Sequence, residues 1–329
     1  MTAEPSTRVM TVTPEAVAQA VRCLKAGGLV AFPTETVYGL GADATNARAI
    51  ARLYEAKGRP AFNPLIAHVH DVATACDLGK LDPIATRLAE VFWPGPLTLV
   101  VPRQPGSPVA ELATAGLVTI ALRVPAHAVA RDLLAAFGRP IVAPSANRSG
   151  HVSPTTAQHV LSDLRGRIDL LLDGGPSPVG LESTIVACIG EPTLLRPGGL
   201  PRADIERVLG HPLADSPRSV ETGDETPIAP GQLPSHYAPK TLLRLNAESV
   251  CAGEALLAFG EPLPPGARRV LNLSPGADMI EAAANLFSYL RALDALGAPA
   301  IAVMPIPQTG LGEAINDRLQ RAAAPRRDV

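Results

Sequence analysis

The sequence predicts an α/β protein of two domains, a larger one with a mixed sheet and a smaller one following it. Three observations carry this reading. Short apolar, strand-like runs alternate with helical segments through the first 209 residues. A stretch rich in Pro, Ser, Asp, Glu and Gly, with few apolar residues, interrupts the alternation over 211–239. The alternation then resumes toward the end of the 329-residue chain. Domains usually hold roughly 100–200 residues, so two are expected.

Taken in order, Thr13-Pro14-Glu15 supplies a capping hydroxyl, a proline suited to the first helical position and an acid for the first turn. The helix continues over 16–25, and Gly27-Gly28 stops it. Residues 29–32 read as a strand, and Pro33-Thr34-Glu35-Thr36 bends the chain into a polar loop. A helix over 47–57, a strand over 65–69, a helix over 83–92 and strands over 97–101 and 118–123 follow. A helix over 128–137, a strand over 141–143, a helix over 156–164 and strands over 170–172, 183–188 and 193–196 complete the first part. Beyond the polar stretch, strands are expected over 241–245, 269–273 and 300–304, a further element over 254–259, and helices over 277–296 and 312–323. The domain limits drawn from this pattern are 1–210, a linker or lid over 211–239, and 240–329.

Hydrophobic residues make up 47% of the chain and aromatics only 3%, so Leu, Val, Ile and Ala must fill the cores. A net charge of −2 excludes a globally basic nucleic-acid coat, so any polyanion must be met by local Lys and Arg. The cysteines Cys23, Cys76, Cys188 and Cys251 form no C-x-x-C pair and read as isolated buried thiols in a reducing compartment. Residues 1–9 lack the apolar core of a signal peptide, and no apolar run reaches the roughly 20 residues of a membrane span. The cytoplasm is therefore the expected location.

Five polar clusters punctuate the first domain. They are Pro33 to Gly41; Lys57-Gly58-Arg59-Pro60-Ala61-Phe62-Asn63-Pro64; Ala143-Pro144-Ser145-Ala146-Asn147-Arg148-Ser149-Gly150; Leu181-Glu182-Ser183-Thr184; and Leu195-Arg196-Pro197-Gly198-Gly199. In the second, two cations straddle a glycine, with a planar fork on Arg59 and a point charge on Lys57 for anionic oxygens. The third could form an anion-binding nest, or be an ordinary turn. Neither G-x-x-x-x-G-K-[ST], a post-strand G-x-G-x-x-G, H-E-x-x-H nor G-x-S-x-G is present. His68 and His70 would share a face of a continuous strand, but two imidazoles without a third ligand do not make a metal site.

The order Lys57-x-Arg59, then Ser145-x-Asn147, resembles the signature of YrdC-type domains, and the stretches Pro33 to Leu40, Pro144 to Asn147 and Arg196-Pro197-Gly198 fit it too. The resemblance covers about residues 13–209. Pro230-Gly231-Gln232-Leu233-Pro234-Ser235-His236-Tyr237-Ala238-Pro239 resembles the linker of the long form of the threonylcarbamoyl-AMP synthase family, which carries an extra C-terminal α/β domain.

The resemblance implies a YrdC-like twisted mixed sheet with helices around a concave pocket, followed by a smaller Rossmann-like domain. It implies a nucleotidyltransferase that joins threonine, bicarbonate and ATP, with magnesium arriving on ATP and no dedicated metal cage. The product would pass to a tRNA threonylcarbamoyl-transfer complex, with weak RNA binding as a further option. Residue by residue, it implies that Lys57, Ser145, Ser153 and Arg196 hold the phosphates and ribose of ATP. Thr119 and Ala61 would border the nucleotide, and Arg59 and Asn147 would complete the phosphate pocket. Thr34, His68, Arg123 and Ser183 would hold threonine, with Ala143 lining its pocket. Tyr237 would reach back to cover the nucleotide, or else pack between the domains. A hydrogenase-maturing carbamoyltransferase of the same domain family would carry Cys-rich zinc segments that four scattered cysteines cannot supply, and scarce aromatics argue against a large RNA-binding surface.

Overall fold

A computed structural model describes residues 6–59, 63–216 and 236–325. Its larger sheet has eleven strands. From one edge these are Arg8–Thr11, Leu170–Asp173, Val30–Phe32, Gly39–Asp43, Ile141–Val142, Ile66–His68, Thr119–Arg123, Leu97–Pro102, Thr184–Ala187, Thr193–Arg196 and Ala214–Asp215. Parallel and antiparallel pairings are interspersed, so the sheet is mixed, as the alternation of elements predicts. Helices such as Pro14–Lys25, Ala47–Lys57 and Ala128–Phe137 cover it, each burying one apolar stripe. Thr13 caps the first of them by accepting from Ala16 N, at 3.1 Å.

The smaller sheet is fully parallel, in the order Leu242–Arg244, Ala300–Val303, Ala255–Ala258, Val270–Asn272. The helices Met279–Asp294 and Leu311–Ala323 pack on it, the arrangement expected of a small Rossmann-like unit. Among the described residues, no helix is long and apolar enough to cross a membrane.

Several elements escape the sequence reading. The strand Gly39–Asp43 reads as loop because its glycines carry no side chain to give a period. They are there because neighbours crowd the backbone: a Cβ on Gly41 would meet Phe32 Cε1 at 2.8 Å and Val30 O at 3.1 Å. The helix Arg202–Leu209 is followed by the strand Ala214–Asp215, which adds to the large sheet inside the stretch expected to be linker. The helix Val72–Leu78 and the edge strand Arg8–Thr11 were likewise unforeseen. The cysteines are free, but the expectation of four buried thiols is corrected: Cys188 is buried, Cys23 partly so, and Cys76 and Cys251 are exposed.

Candidate functional site

A half-open cleft gathers residues from all five polar clusters and from the linker. Thr36 and Val37 come from the first cluster, Arg59 and Pro64 from the second, and Ala143, Pro144 and Ser145 from the third. Glu182, Ser183 and Arg196 come from the fourth and fifth, His68 and Arg123 from strand ends, and His236 and Tyr237 from the linker. The register shows how they meet. Ile66–His68 runs parallel to Thr119–Arg123, which puts His68 opposite Arg123. Ile141–Val142 runs antiparallel to Ile66–His68, so Ala143 and Ser145 emerge beside Ile66, toward the other end. The cleft therefore crosses a face of the sheet rather than lying only beyond its strand ends.

At one end Arg123 is buried and commits three of its five N–H donors to fixed partners. Its Nε donates to Gly95 O at 3.1 Å, Nη1 to Thr36 Oγ1 at 3.0 Å and Nη2 to Glu35 Oε1 at 2.6 Å. Burial alone would raise Glu35, yet the Arg123 charge and hydrogen bond outweigh it and hold the carboxyl below its ordinary range. Glu35 Oε2 is buried with no hydrogen-bond partner among the described residues. His68 lies beside this pair; burial, then the Arg123 charge, push it down to about 3, so it is a neutral imidazole at pH 7. Thr34 does not line the cleft. Its hydroxyl donates to Val37 O at 2.6 Å and accepts from Thr36 N and Val37 N, so it shapes the loop that presents Thr36.

At the other end the cations gather. Lys57 is the last residue of its helix, and Gly58, in the left-handed region at φ 60°, turns the chain so that Arg59 follows on a new heading. A lysine at a helix C-terminus is usually solvated, but Lys57 is 2% exposed. Its Nζ donates to the carbonyls of Ser145 and Asn147, tying two clusters together. Burial, then the Arg59 charge, hold Lys57 well below the ordinary lysine range. Burial lowers Arg59 to about 10. Asn147 Nδ2 donates to Arg148 O and His151 O, which closes the Ser145-to-Gly150 turn. Arg196 donates to Ser183 O at 2.8 Å and to Ser183 Oγ at 3.2 Å, and Ser183 Oγ also pairs with Thr98 Oγ1 at 2.7 Å. Gly198 is required here, since a Cβ would meet Glu182 O at 2.4 Å. Ser153 donates to Glu182 Oε1, one step behind the wall.

Of the residues singled out from sequence, the cleft brings together Arg59, His68, Arg123, Ala143, Ser145, Ser183, Arg196 and Tyr237. Lys57, Asn147, Ser153 and Thr34 support it from behind. Thr119 is not in the lining. It begins the strand that ends at Arg123, about 13 Å away along the backbone, although it shares that residue's face. Ala61 lies outside the described residues, as do residues 230–235 of the linker motif.

Tyr237 lines the cleft and also packs into the apolar cluster of the second domain. Its ring stacks on His236 at 4.1 Å and on Phe287 at 5.8 Å, and its backbone holds φ 59°, rare for a bulky residue. His236 is itself buried, and burial, then Arg59, Lys57 and Arg196, hold it well below the ordinary histidine range. Sequence reasoning gave no role to His236, Glu182 or Glu35, although all three stand in the quoted motifs, and it missed Arg318 altogether.

The comparisons with known proteins follow this geometry. The Sua5–YciO–YrdC family model, described as "Telomere recombination", matches residues 22–198, and the model "Threonylcarbamoyl-AMP synthase, C-terminal domain" matches residues 200–324. The chain is 42% identical to the threonylcarbamoyl-AMP synthase of Bacillus subtilis, over 94% of this chain and 93% of that one. It is 42% identical to that of Pyrococcus abyssi, over 91% and 92%. The crystal structure of P. abyssi Sua5 complexed with L-threonine superposes with a TM-score of 0.88 at 39% identity, covering 96% of this chain and 98% of that one. The mixed sheet with its cleft, the parallel second sheet and this likeness along almost the whole length agree: the chain belongs to the Sua5–YciO–YrdC family, in the two-domain form of the threonylcarbamoyl-AMP synthases, which are nucleotidyltransferases.

Proposed function

We propose that the chain makes threonylcarbamoyl-AMP from threonine, bicarbonate and ATP, releasing pyrophosphate, as the first step of the threonylcarbamoyladenosine modification of tRNA. The observation that carries this is the separation of charge within one cleft. An arginine–carboxylate pair with a neutral imidazole stands at one end, and the buried guanidinium groups of Arg59 and Arg196 stand at the other, with Glu182 beside them in the wall. The first end suits a zwitterionic amino acid and the second a polyphosphate. The P. abyssi relative crystallised with L-threonine supports threonine as the amino acid.

In this reading the unprotonated threonine amine attacks carbon dioxide formed from bicarbonate; an N–C bond forms and the nitrogen loses a proton. The resulting carbamate oxygen attacks the α-phosphorus of ATP, a new O–P bond forms, and the bond to the β-phosphate oxygen breaks. Such chemistry asks mainly for positioning and charge neutralisation. Arg123 would receive the threonine carboxylate, with His68 and Ser183 beside it and Ala143 in the wall. Arg59, Ser145 and Arg196 would take phosphate oxygens, with Lys57, Asn147 and Ser153 fixing the loops that present them. Thr119 and Ala61 would meet the nucleoside end. Tyr237 would shield a labile carbamate and a mixed anhydride from water.

Magnesium enters as the counter-ion of ATP. Both carboxylates at the cleft are committed to arginines, and no group of three or more His, Cys, Asp or Glu among the described residues could hold a metal. The donor set does not fit a protein cage, so the ion would be held by phosphate oxygens and water. The product would be handed to a tRNA threonylcarbamoyl-transfer complex in the cytoplasm.

The test is to incubate the protein with ATP, magnesium, bicarbonate and threonine and to follow pyrophosphate and product mass. Pyrophosphate that depends on both threonine and bicarbonate, with a threonylcarbamoyl-AMP mass, is the expected result. A folded protein that binds ATP but releases none would overturn the reading.

A further inference from the structure

Arg318 is the largest fully buried side chain of the molecule's described residues, with 0% exposure, and it belongs to the second domain. Arginine is almost never fully buried unless it is paired. Its partners lie in two places. Nη1 donates to Asp317 Oδ2 on its own helix at 2.6 Å, and Nε crosses to Glu182 Oε2 of the first domain at 2.8 Å. Glu182 lines the cleft beside Ser183, and its other oxygen accepts from Ser153. The guanidinium also sits over the Tyr237 ring, 5.1 Å from its centroid. Nη2 is buried without a hydrogen-bond partner among the described residues, so packing has not spent the whole fork.

Close approach of the domains makes this reach possible. A Cβ on Gly180 would meet Ala283 O at 2.4 Å, which lets the helix Met279–Asp294 press against the loop leading to Glu182. Arg291 with Asp163, and Arg202 with Glu313, fix the same interface on either side.

We propose that Arg318 is a positioning residue for nucleotide binding, contributed by the second domain: it neutralises Glu182 in the cleft wall and holds Tyr237 over the site. Glu182 is a carboxylate in a wall that must accept a polyanion. With Arg318 on it, its charge is answered from behind. Without Arg318, Glu182 repels the polyphosphate and turns to Arg196, already within its electrostatic reach, as a substitute partner. One of the cations assigned to phosphate oxygens is then drawn toward the wall. This inference rests on the reading of the cleft as the ATP and threonine site.

The experiment measures KM for ATP and KM for threonine separately in the full chain for wild type, Arg318→Met, Arg318→Gln, Arg318→Lys, Glu182→Gln and the Glu182→Gln/Arg318→Met double variant, with melting curves for each. Arg318→Met is expected to raise KM for ATP by about tenfold to a hundredfold, as truncating one partner of a buried charge pair does, and to leave KM for threonine within about threefold. The double variant is expected to recover most of the ATP affinity, because the unanswered charge is gone. A role in packing alone would lower the melting temperature and the active fraction, and neutralising Glu182 would not rescue ATP binding. An unchanged KM for ATP in folded Arg318→Met, or a double variant as impaired as the single one, overturns the proposal. Should Arg318→Met fail to fold, Arg318→Gln, which keeps a polar side chain but not the charge, carries the test: a selective rise in KM for ATP supports it, and wild-type kinetics refute it. Arg318→Lys, which keeps the charge, is expected to stay closer to wild type. Wild-type protein without threonine-dependent pyrophosphate release would refute the underlying reading instead, so the two failures are distinguishable.

Discussion

The two sheets place their polar residues differently. The large mixed sheet buries charged and hydroxylated side chains around its cleft: Thr36, Lys57, His68, Thr98, Arg123, Ser183 and Arg196 among them. In the second domain, Glu254, Ser274 and Arg318 are the only buried polar or charged side chains described, and the rest of its core is apolar. One of those three faces the first domain. Burying a polar group costs free energy unless it is satisfied, so the first domain spends stability on its site, while the second behaves as a scaffold. The boundary between them is not a clean division of cores, because Val37, Val152, Leu181 and Tyr237 pack into the cluster built by Leu257, Phe287 and Ile315. The scaffold therefore shapes one wall of the site.

The comparison breaks first at the cationic end. Lys57→Ala removes a buried charge and two ties between loops, and ATP affinity is expected to fall by about a hundredfold or more. Titration calorimetry with ATP would check this, and normal binding would refute the phosphate assignment. Next comes Arg123→Ala, which leaves Glu35 buried without its partner. KM for threonine should rise by about tenfold to a hundredfold, with ATP affinity retained; equal loss of both would indicate general disruption. A variant in the scaffold should do the opposite. Leu257→Ala, fully buried in the second sheet, should cost about 2–5 kcal/mol of stability. Both KM values should stay near wild type at temperatures where the variant is folded, and a large KM change would show that the second core is coupled to the site more widely than through Arg318.

Much of this was legible in the sequence because local rules and global fold agree. Thr13-Pro14 caps a helix, apolar runs mark strands, and the five clusters do converge on one cleft. What was not legible depends on long-range contact. Gly39 and Gly41 look like turn residues until Phe32 and Ala143 are seen crowding them. Nothing local in the sequence tells that the Thr34 hydroxyl bonds within its own loop. Thr119 has no local feature that tells how far it lies from Arg123's end of the cleft. Arg318 did carry a signal. Ala314, Ile315, Leu319 and Ala322 set the buried stripe of their helix, and position 318 falls in it, where an apolar residue belongs. A cation in a core position of an amphipathic helix asks for a partner, and the partner was about 136 residues away in the chain.

The last expected effect leaves neutral pH untouched and separates stability from chemistry at a single residue. His68 titrates at about 3 in the folded chain, against an ordinary value of 6.5, because burial and the Arg123 charge disfavour the imidazolium. Between those two values the unfolded chain holds more protons than the folded one, so stability rises with pH across that window. The contribution is complete above pH 6.5 and is lost progressively as pH falls toward 3. His159, lowered to about 4, and His236, held well below the ordinary histidine range by burial, add slopes of the same sign. Replacing His68 by Gln removes one titrating group while keeping a polar side chain of similar reach. Denaturant unfolding at a series of pH values should then show a shallower loss of stability on acidification, by up to about 1.4 kcal/mol per pH unit. An unchanged slope would mean that His68 titrates in the folded state much as it does unfolded, so that burial and the Arg123 charge do not hold its imidazole neutral on acidification.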